Sequence, residues 1–203
     1  DIDRPSMKHP QSILRDTFGL DDFRVGQREI VDAGIAGKNT LAIMPTGGGK
    51  SLCFQLPALV RDGLTVVISP LIALMRDQVR ALQEAGVAAG ALTSGNTEEE
   101  TQAVFDALSE GRLKLLYMAP ERLSGTATFN MLQRSNVSFI AVDEAHCVSQ
   151  CGHDFRPDYL RIGALRQGLT VPLAACTATA DQDTRGEMVE QLVAQEAPGN
   201  VWH

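Results

Sequence analysis

Short apolar runs alternate along the chain with longer segments in which apolar residues recur every three or four positions. The short runs are rich in β-branched residues, which is typical of buried strands. We predict strands at 40–44, 65–69, 87–92, 113–118, 137–142 and 171–176. The longer segments predict helices at 26–36, 50–62, 71–85, 97–110, 126–134, 157–167 and 181–194.

This alternation predicts the fold class. Strands that read as continuous apolar runs, each followed by a helix, favour an α/β domain with a mostly parallel sheet and helices on both faces. A chain of 203 residues is long enough for one such domain. Because ligands of these folds bind beyond the carboxyl ends of the strands, the residues that follow each strand are the candidates for chemistry.

Composition narrows the class of protein. No apolar run reaches the roughly 20 residues of a membrane span, so we expect no association with membranes. Four cysteines are too few for a disulfide scaffold of this length and favour a reducing, cytoplasmic setting. The net charge of −7 argues against nucleic acid as a partner of the whole surface, but it leaves room for a local basic patch.

The first predicted strand leads into the glycine-rich segment MPTGGGKS, residues 44–51. Its last three residues match the end of the phosphate-binding loop pattern, whereas Met44 stands where the first glycine belongs. Consecutive glycines let the backbone N–H groups point inward, and the start of the next helix adds to this anion site. Lys50 would then contact the β- and γ-phosphates of a nucleotide, and Ser51 would bind Mg²⁺.

Two acidic residues, Asp143 and Glu144, directly follow the apolar strand predicted at 137–142. An aspartate at the end of a rigid strand is suited to bind Mg²⁺ beside the phosphates, and the neighbouring glutamate can orient or deprotonate a water molecule. Acidic residues at a strand end are common on any surface. Together with the phosphate-binding loop, however, they indicate hydrolysis of a nucleoside triphosphate.

The run HCVSQCGHDFRPDY, residues 146–159, is a candidate metal or disulfide site because it contains His146, Cys147, Cys151 and His153. These side chains are the nitrogen and sulfur ligands that zinc prefers, but their spacing is not that of a usual zinc finger. A disulfide between the two cysteines is not expected in a reducing compartment. We therefore predict neither zinc nor a disulfide in this run.

With these motifs in view, the chain resembles the first motor domain of the RecQ-type DNA helicases of superfamily 2. The resemblance covers essentially the whole chain, and the order and spacing of its motifs make it specific. The motifs are FGLDDFRVGQ (18–27), MPTGGGKS (44–51), SPLIALMRDQV (69–79), YMAPERL (117–123), DEAHCVSQCGHDFRPDY (143–159) and TATA (177–180). The resemblance implies a RecA-like P-loop NTPase domain at residues 9–203. We expect the N-terminal extension that precedes it, residues 1–8, to be poorly ordered.

The resemblance implies that ATP and Mg²⁺ are the cofactors and assigns residues to them. Gln27 would read the hydrogen-bonding edge of adenine, with Arg24 beside the base. Leu20 stands where the family usually has an aromatic residue, so stacking on adenine would be weaker here. The expected nucleotide-binding residues are Leu20, Arg24, Gln27, Thr46, Gly47, Gly48, Gly49, Lys50 and Ser51, the catalytic residues are Lys50 and Glu144, and the Mg²⁺ ligands are Ser51 and Asp143.

The resemblance also implies residues that face DNA. The family senses single-stranded DNA with an aromatic-rich loop, which corresponds to residues 150–159 of this chain. Phe155 could stack on a base and Arg156 could contact a phosphate, whereas Cys151 replaces the usual tryptophan. The expected DNA-binding residues are Ser69, Pro70, Ser94, Arg122, Phe155 and Arg156, and the residues that couple the nucleotide to DNA are His146, Thr177 and Thr179.

The activity implied is a motor that couples ATP hydrolysis to movement along single-stranded DNA and to duplex unwinding, 3′ to 5′, in DNA repair and recombination. The family motor also uses a second RecA-like domain, whose arginine finger contributes roughly 10³–10⁵ in rate. The residues after TATA are too few for that domain, so we expect this chain alone to bind ATP weakly and to hydrolyse it poorly. Two alternatives remain open: a nucleotide- or DNA-binding module without hydrolysis, and a DEAH-type RNA remodelling ATPase.

Overall fold

The sheet of this protein contains seven parallel strands among the residues that the structure, a computed structural model, describes: 9–44, 49–148, 156–178, 182–193 and 200–202. The strands lie in the order β3-β4-β2-β5-β6-β1-β7, and every pairing is parallel. Their bounds are β1 Thr40–Ile43, β2 Leu64–Ile68, β3 Ala89–Leu92, β4 Leu115–Met118, β5 Val137–Val142, β6 Leu173–Thr177 and β7 Asn200–Trp202. Six of them confirm the predicted strands to within two residues.

Helices follow the strands as predicted. Their bounds are α1 Pro10–Asp16, α2 Gln27–Ile35, α3 Leu52–Val60, α4 Ile72–Glu84, α5 Glu98–Ser109, α6 Thr126–Gln133, α7 Arg156–Leu169 and α8 Gln182–Met188. Short 3₁₀ turns lie at Pro120–Leu123 and Ala145–Val148, and a π-helical turn, Val189–Val193, continues α8. Helix α1 was not predicted because its seven residues are too few to establish a helical period.

Two apolar cores cover the two faces of the sheet, which confirms the predicted α/β architecture. Helices α1 to α4 pack on one face and α5 to α8 on the other. In β4, Leu115 and Tyr117 belong to the first core, and Leu116 and Met118 belong to the second, as the alternation of side chains along a strand requires. The sheet is therefore buried on both sides, and its carboxyl edge is where loops are open to ligands.

Close packing fixes helices α2 and α3 beside the end of β1. A Cβ atom on Gly34 in α2 would lie 3.0 Å from Pro57 in α3, so a side chain there would require one of the two helices to shift slightly. Arg61 follows α3 and donates hydrogen bonds to the main-chain oxygens of Ile35 at 3.2 Å and Ser138 at 2.9 Å. These bonds join the end of α2 to the start of β5, at the amino edge of the sheet.

Candidate active site

Three neighbouring strands carry the predicted chemistry to one place. In the order β5-β6-β1, the loops that follow the strands begin at Asp143, Ala178 and Met44. Residues 45–48 of the glycine-rich loop, and with them the predicted roles of Thr46, Gly47 and Gly48, lie outside the described residues. The described part of the loop brings Lys50 into contact with the acidic residues after β5.

Lys50 forms ion pairs with both acidic residues. Its Nζ atom lies 3.3 Å from Oδ1 of Asp143 and 3.1 Å from Oε1 of Glu144, to which it donates a hydrogen bond. Burial disfavours the charged ammonium, but the two carboxylates outweigh burial and raise the pKa of Lys50 above its ordinary value. Burial raises the pKa of Asp143, and the nearby ammonium opposes that rise. The site is thus built around a buried negative charge that needs a cation.

The backbone of Glu144 turns sharply away from β5. Its φ of 52° lies in the left-handed region, which is strained for a residue with a side chain. Its N–H donates to Oδ1 of Asp143 at 3.0 Å, so the turn is held by the neighbouring carboxylate. With this turn, the carboxyl groups of Asp143 and Glu144 both reach Nζ of Lys50.

Gln27 links the start of α2 to the glycine-rich loop. Its Oε1 atom accepts a hydrogen bond from the N–H of Arg24 at 2.7 Å, and its Nε2 atom donates to the main-chain oxygen of Gly49 at 3.1 Å. Gly49 has a φ of 76°, and a Cβ atom there would lie 2.2 Å from Nε2 of Gln27. The amide of Gln27 is therefore packed directly on the loop, while Leu20 is 46% exposed.

Comparison with known proteins agrees with this geometry. Residues 24–186 match the DEAD/DEAH box helicase family. The chain belongs to this family.

Relatives of this helicase domain confirm the RecQ-type resemblance. ATP-dependent DNA helicase RecQ of Haemophilus influenzae is 49% identical over 182 residues, which make up 89% of this chain and 29% of that protein. The protein of the same name from Pasteurella multocida is 50% identical over 184 residues, 90% of this chain and 29% of that protein. The chain thus spans less than a third of the length of these curated relatives.

A solved structure confirms the helicase fold. The DUF1998 helicase MrfA bound to DNA and AMPPNP superposes with a TM-score of 0.75 at 20% identity, over 98% of this chain and 29% of that chain. At this level of identity the likeness shows the RecA-like fold alone.

His146 lies between Glu144 and β6 of this helicase domain. Its Nδ1 atom lies 2.8 Å from Oγ1 of Thr177, and its Nε2 atom lies 3.6 Å from Oε2 of Glu144. One ring nitrogen thus faces Thr177 and the other faces Glu144, and these are the two residues that a coupling residue would have to connect. Thr179, the third residue predicted for coupling, lies outside the described residues.

The residues predicted to bind DNA form a row at the same edge of the sheet. Ser69, Ser94 and Arg122 follow β2, β3 and β4, which are adjacent strands. Ser94 is exposed and Arg122 is partly exposed, but Ser69 is only 2% exposed and its Oγ atom accepts a hydrogen bond from the N–H of Leu71 at 3.3 Å. Contact of these residues with DNA stays a prediction, as does that of Pro70.

The aromatic-rich loop falls largely outside the described residues. Phe155 lies outside the described residues, and of Arg156 only the backbone, at the start of α7, is described. Their predicted roles stay predictions.

Sequence reasoning missed Tyr159, which is fully buried in α7. Its hydroxyl donates to the main-chain oxygen of Asp143 at 3.1 Å, and burial beside the acidic residues raises the pKa of the phenol. A second missed feature is a buried network in which Tyr117 accepts from Gln55 of α3 at 2.8 Å and donates to Gln78 of α4 at 2.8 Å. Both tyrosines stood inside quoted motifs, but the motifs did not say which atoms they contact.

The prediction that Cys147 is not part of a disulfide is wrong. Cys147 is disulfide-bonded, whereas Cys53 and Cys176 are free and buried, so its partner falls outside the described residues. The prediction relied on the redox state of the compartment, whereas bond formation in a structure depends on the distance and orientation of two sulfur atoms. Two of the four candidate zinc ligands, Cys151 and His153, also lie outside the described residues, so the prediction of no zinc is untested.

Proposed function

We propose that this domain binds ATP with Mg²⁺ and hydrolyses it as the first motor domain of a longer RecQ-type DNA helicase. The observation that carries the proposal is the contact of Lys50 with Asp143 and Glu144, 3.3 Å and 3.1 Å away. A lysine from a phosphate-binding loop beside an aspartate and a glutamate at a strand end is the arrangement that P-loop NTPases use for phosphoryl transfer.

The residues present fit a magnesium nucleotide. The buried carboxylate of Asp143 requires a positive charge, which Lys50 supplies in this structure. Asp143, through water, and Ser51 would hold Mg²⁺, which when bound neutralises charge on the phosphate oxygens. Lys50 would then be released from the carboxylates to contact the β- and γ-phosphates.

Glu144 is the proposed general base. With Lys50 engaged by phosphates, the carboxylate of Glu144 would be free to accept the proton of the attacking water. The 3.1 Å contact of its Oε1 atom with Nζ of Lys50 supports this role, because Lys50 would hold the phosphates that the water attacks.

Coupling to DNA would pass through His146 and Thr177. His146 touches Glu144 on one side and Thr177 on the other, so a change at either neighbour alters its position. The row formed by Ser69, Ser94 and Arg122 lies at the same edge and would contact the DNA backbone. We propose DNA rather than RNA as the partner on the strength of the RecQ-named relatives.

The proposed helicase also needs a second RecA-like domain in the full-length protein. The arginine finger of such a domain would stabilise the transferred phosphoryl group, and its absence costs roughly 10³–10⁵ in rate. We therefore expect this domain alone to hydrolyse ATP poorly. Among the described residues, no helix is long and apolar enough to cross a membrane, and we propose that the helicase works in the cytoplasm.

The test compares full-length wild-type enzyme with Glu144→Gln. We expect the wild type to show ATPase activity that single-stranded DNA stimulates more than RNA of the same length does. Glu144→Gln should lose at least about 100-fold in kcat, the range of general base catalysis, while a fluorescent ATP analogue still binds. Stronger stimulation by RNA would favour the RNA remodelling alternative, and DNA binding without turnover in the wild type would favour the non-hydrolysing module.

A further inference from the structure

The outer strand β3 lies at the floor of a groove far from the nucleotide site. Strands β4, β2, β5 and β6 separate it from β1. The groove has a volume of about 500 Å³ and lies between α4 and α5, along residues 88–91. None of the residues assigned to ATP or to coupling lines it.

The free edge of β3 presents hydrogen-bond donors without partners, whereas each of its outward acceptors already has a side-chain partner. Ala88 accepts from the N–H groups of Lys114 and Leu115 on the inner side, so Ala89 and Ala91 face outward. Side-chain amides already occupy both outward carbonyl oxygens: Nε2 of Gln83 donates to Ala89 at 2.8 Å, and Nδ2 of Asn96 donates to Ala91 at 2.7 Å.

The outward N–H groups of this edge are left for a ligand. No described residue accepts a hydrogen bond from the N–H of Ala89 or Ala91. Both residues line the groove, so a ligand there can reach these N–H groups. The edge therefore favours a ligand whose hydrogen-bond acceptors match the spacing between Ala89 and Ala91, which is that of alternate residues in an extended peptide.

The groove carries one positive charge that no described residue pairs with, although the whole chain carries −7. Its charged lining consists of Arg76, Arg80, Arg112 and Glu100. Arg76 is paired with Glu100 at 3.2 Å across the groove, and Arg112 is paired with Glu110 outside it. Arg80 is exposed and forms no ion pair or hydrogen bond with any described residue, so its charge is available to a ligand.

The remaining lining is small and aliphatic. It comprises Val79, Ala103, Val104, Ala107 and Leu113, together with the β3 residues. No aromatic side chain is among the lining residues, so the groove offers no platform for a base to stack on. A polypeptide with small apolar side chains fits this floor better than a nucleic acid does.

We propose that this groove binds an extended acidic peptide segment of a partner protein. A carboxylate of the peptide would pair with Arg80, and two of its main-chain oxygens would accept hydrogen bonds from the N–H groups of Ala89 and Ala91. The amides of Gln83 and Asn96 already bond the outward carbonyls of β3. The peptide would therefore accept hydrogen bonds from β3 but donate none to it, which is half of the bonds of a normal strand pair. The contact is therefore small and reversible, and it does not depend on the ATPase activity.

The test uses a fluorescein-labelled peptide of about ten residues in which Asp or Glu alternates with Ala or Val. Fluorescence anisotropy should give a Kd on the order of 10–100 µM that weakens as salt is added. Arg80→Glu should weaken binding by about tenfold or more, because it places like charges together. The control Arg134→Glu changes another exposed arginine that has no ion pair among the described residues and should leave the Kd unchanged.

Two further measurements decide the location and the class of ligand. Amide hydrogen exchange at Ala89 and Ala91 should slow when the peptide is added, and a peptide with Lys in place of the acidic residues should not bind. The proposal is overturned if the acidic peptide does not bind, or if Arg80→Glu and Arg134→Glu bind it equally. Binding of oligodeoxythymidylate that requires Arg80, without binding of the peptide, would reassign the groove to nucleic acid.

Discussion

The hydroxyl of Tyr159 holds the main-chain carbonyl of Asp143 at 3.1 Å in a fully buried contact. We expect Tyr159→Phe to lower kcat of the full-length ATPase several-fold with little change in the KM for ATP, because the carboxylates lose a support that does not touch the nucleotide. The lost hydrogen bond should also reduce the free energy of unfolding by about 1–2 kcal/mol. Steady-state kinetics and urea unfolding measure the two effects.

Tyr117→Phe is the matched control for that change. It removes another buried hydroxyl, which is bonded to Gln55 and Gln78 instead of to Asp143. We expect a similar loss of stability, about 1–2 kcal/mol, with kcat retained. Equal losses of kcat in both variants would contradict a specific role for Tyr159.

Gly49→Ala should abolish binding of a fluorescent ATP analogue. The added Cβ atom would lie 2.2 Å from Nε2 of Gln27, and the φ of 76° is unfavourable for alanine. Gly86→Ala separates the effect of the clash from the effect of the positive φ. Gly86 has a φ of 85°, but a Cβ atom there would have no heavy atom within 4 Å. Gly86→Ala should lose about 1 kcal/mol of stability and keep nucleotide affinity. Retained affinity in Gly49→Ala would show that Gln27 can move away at little cost.

Asp143→Asn should stabilise the fold while it abolishes hydrolysis. Burial of the ionised carboxylate is unfavourable, and asparagine keeps the shape without the charge. Lys50 would still be paired with Glu144. Without nucleotide or Mg²⁺, we expect the free energy of unfolding to rise by roughly 1 kcal/mol, which is typical of a single substitution that stabilises a protein and reduces its activity. Asp77→Asn, at an exposed aspartate of α4, should change stability little, and a loss of stability in Asp143→Asn would count against this account.

The two free cysteines should resist alkylation in the native protein. Burial raises the pKa of Cys53 to about 12, and burial also raises the pKa of Cys176. Because the thiolate is the nucleophile, at pH 8 only on the order of one Cys53 side chain in 10⁴ is reactive. Iodoacetamide followed by peptide mass spectrometry should label neither residue until urea is added. Rapid labelling of either thiol in the native state would show that the core around that cysteine opens often enough to expose the thiol to the reagent.

The sequence predicted what is repeated or local and missed what depends on tertiary contacts. The strands were predictable because each is a continuous apolar run, and Lys50, Asp143 and Glu144 were predictable because residues after parallel strands meet at one edge. Strand β7, Asn200–Trp202, was missed because three residues show no pattern and only pairing with β1 makes them a strand.

The contacts of Gln27 show a similar limit. Its position in the motif predicted an adenine contact, but nothing in the motif predicted that its amide would lie on the oxygen of Gly49. A contact between Gln27 and the glycine-rich loop, 22 positions away in the sequence, is visible only in three dimensions.

The amides of Gln83 and Asn96 also bear on how the protein behaves at high concentration. A bare outer strand invites a second copy of the chain to add its own strand, which is a common start of aggregation. A strand from a second copy would find both outward carbonyls already bonded, so it could form only the half ladder that the proposed peptide forms. Without the charge contact at Arg80 that an acidic peptide adds, we expect such a pair of copies to be weak and reversible.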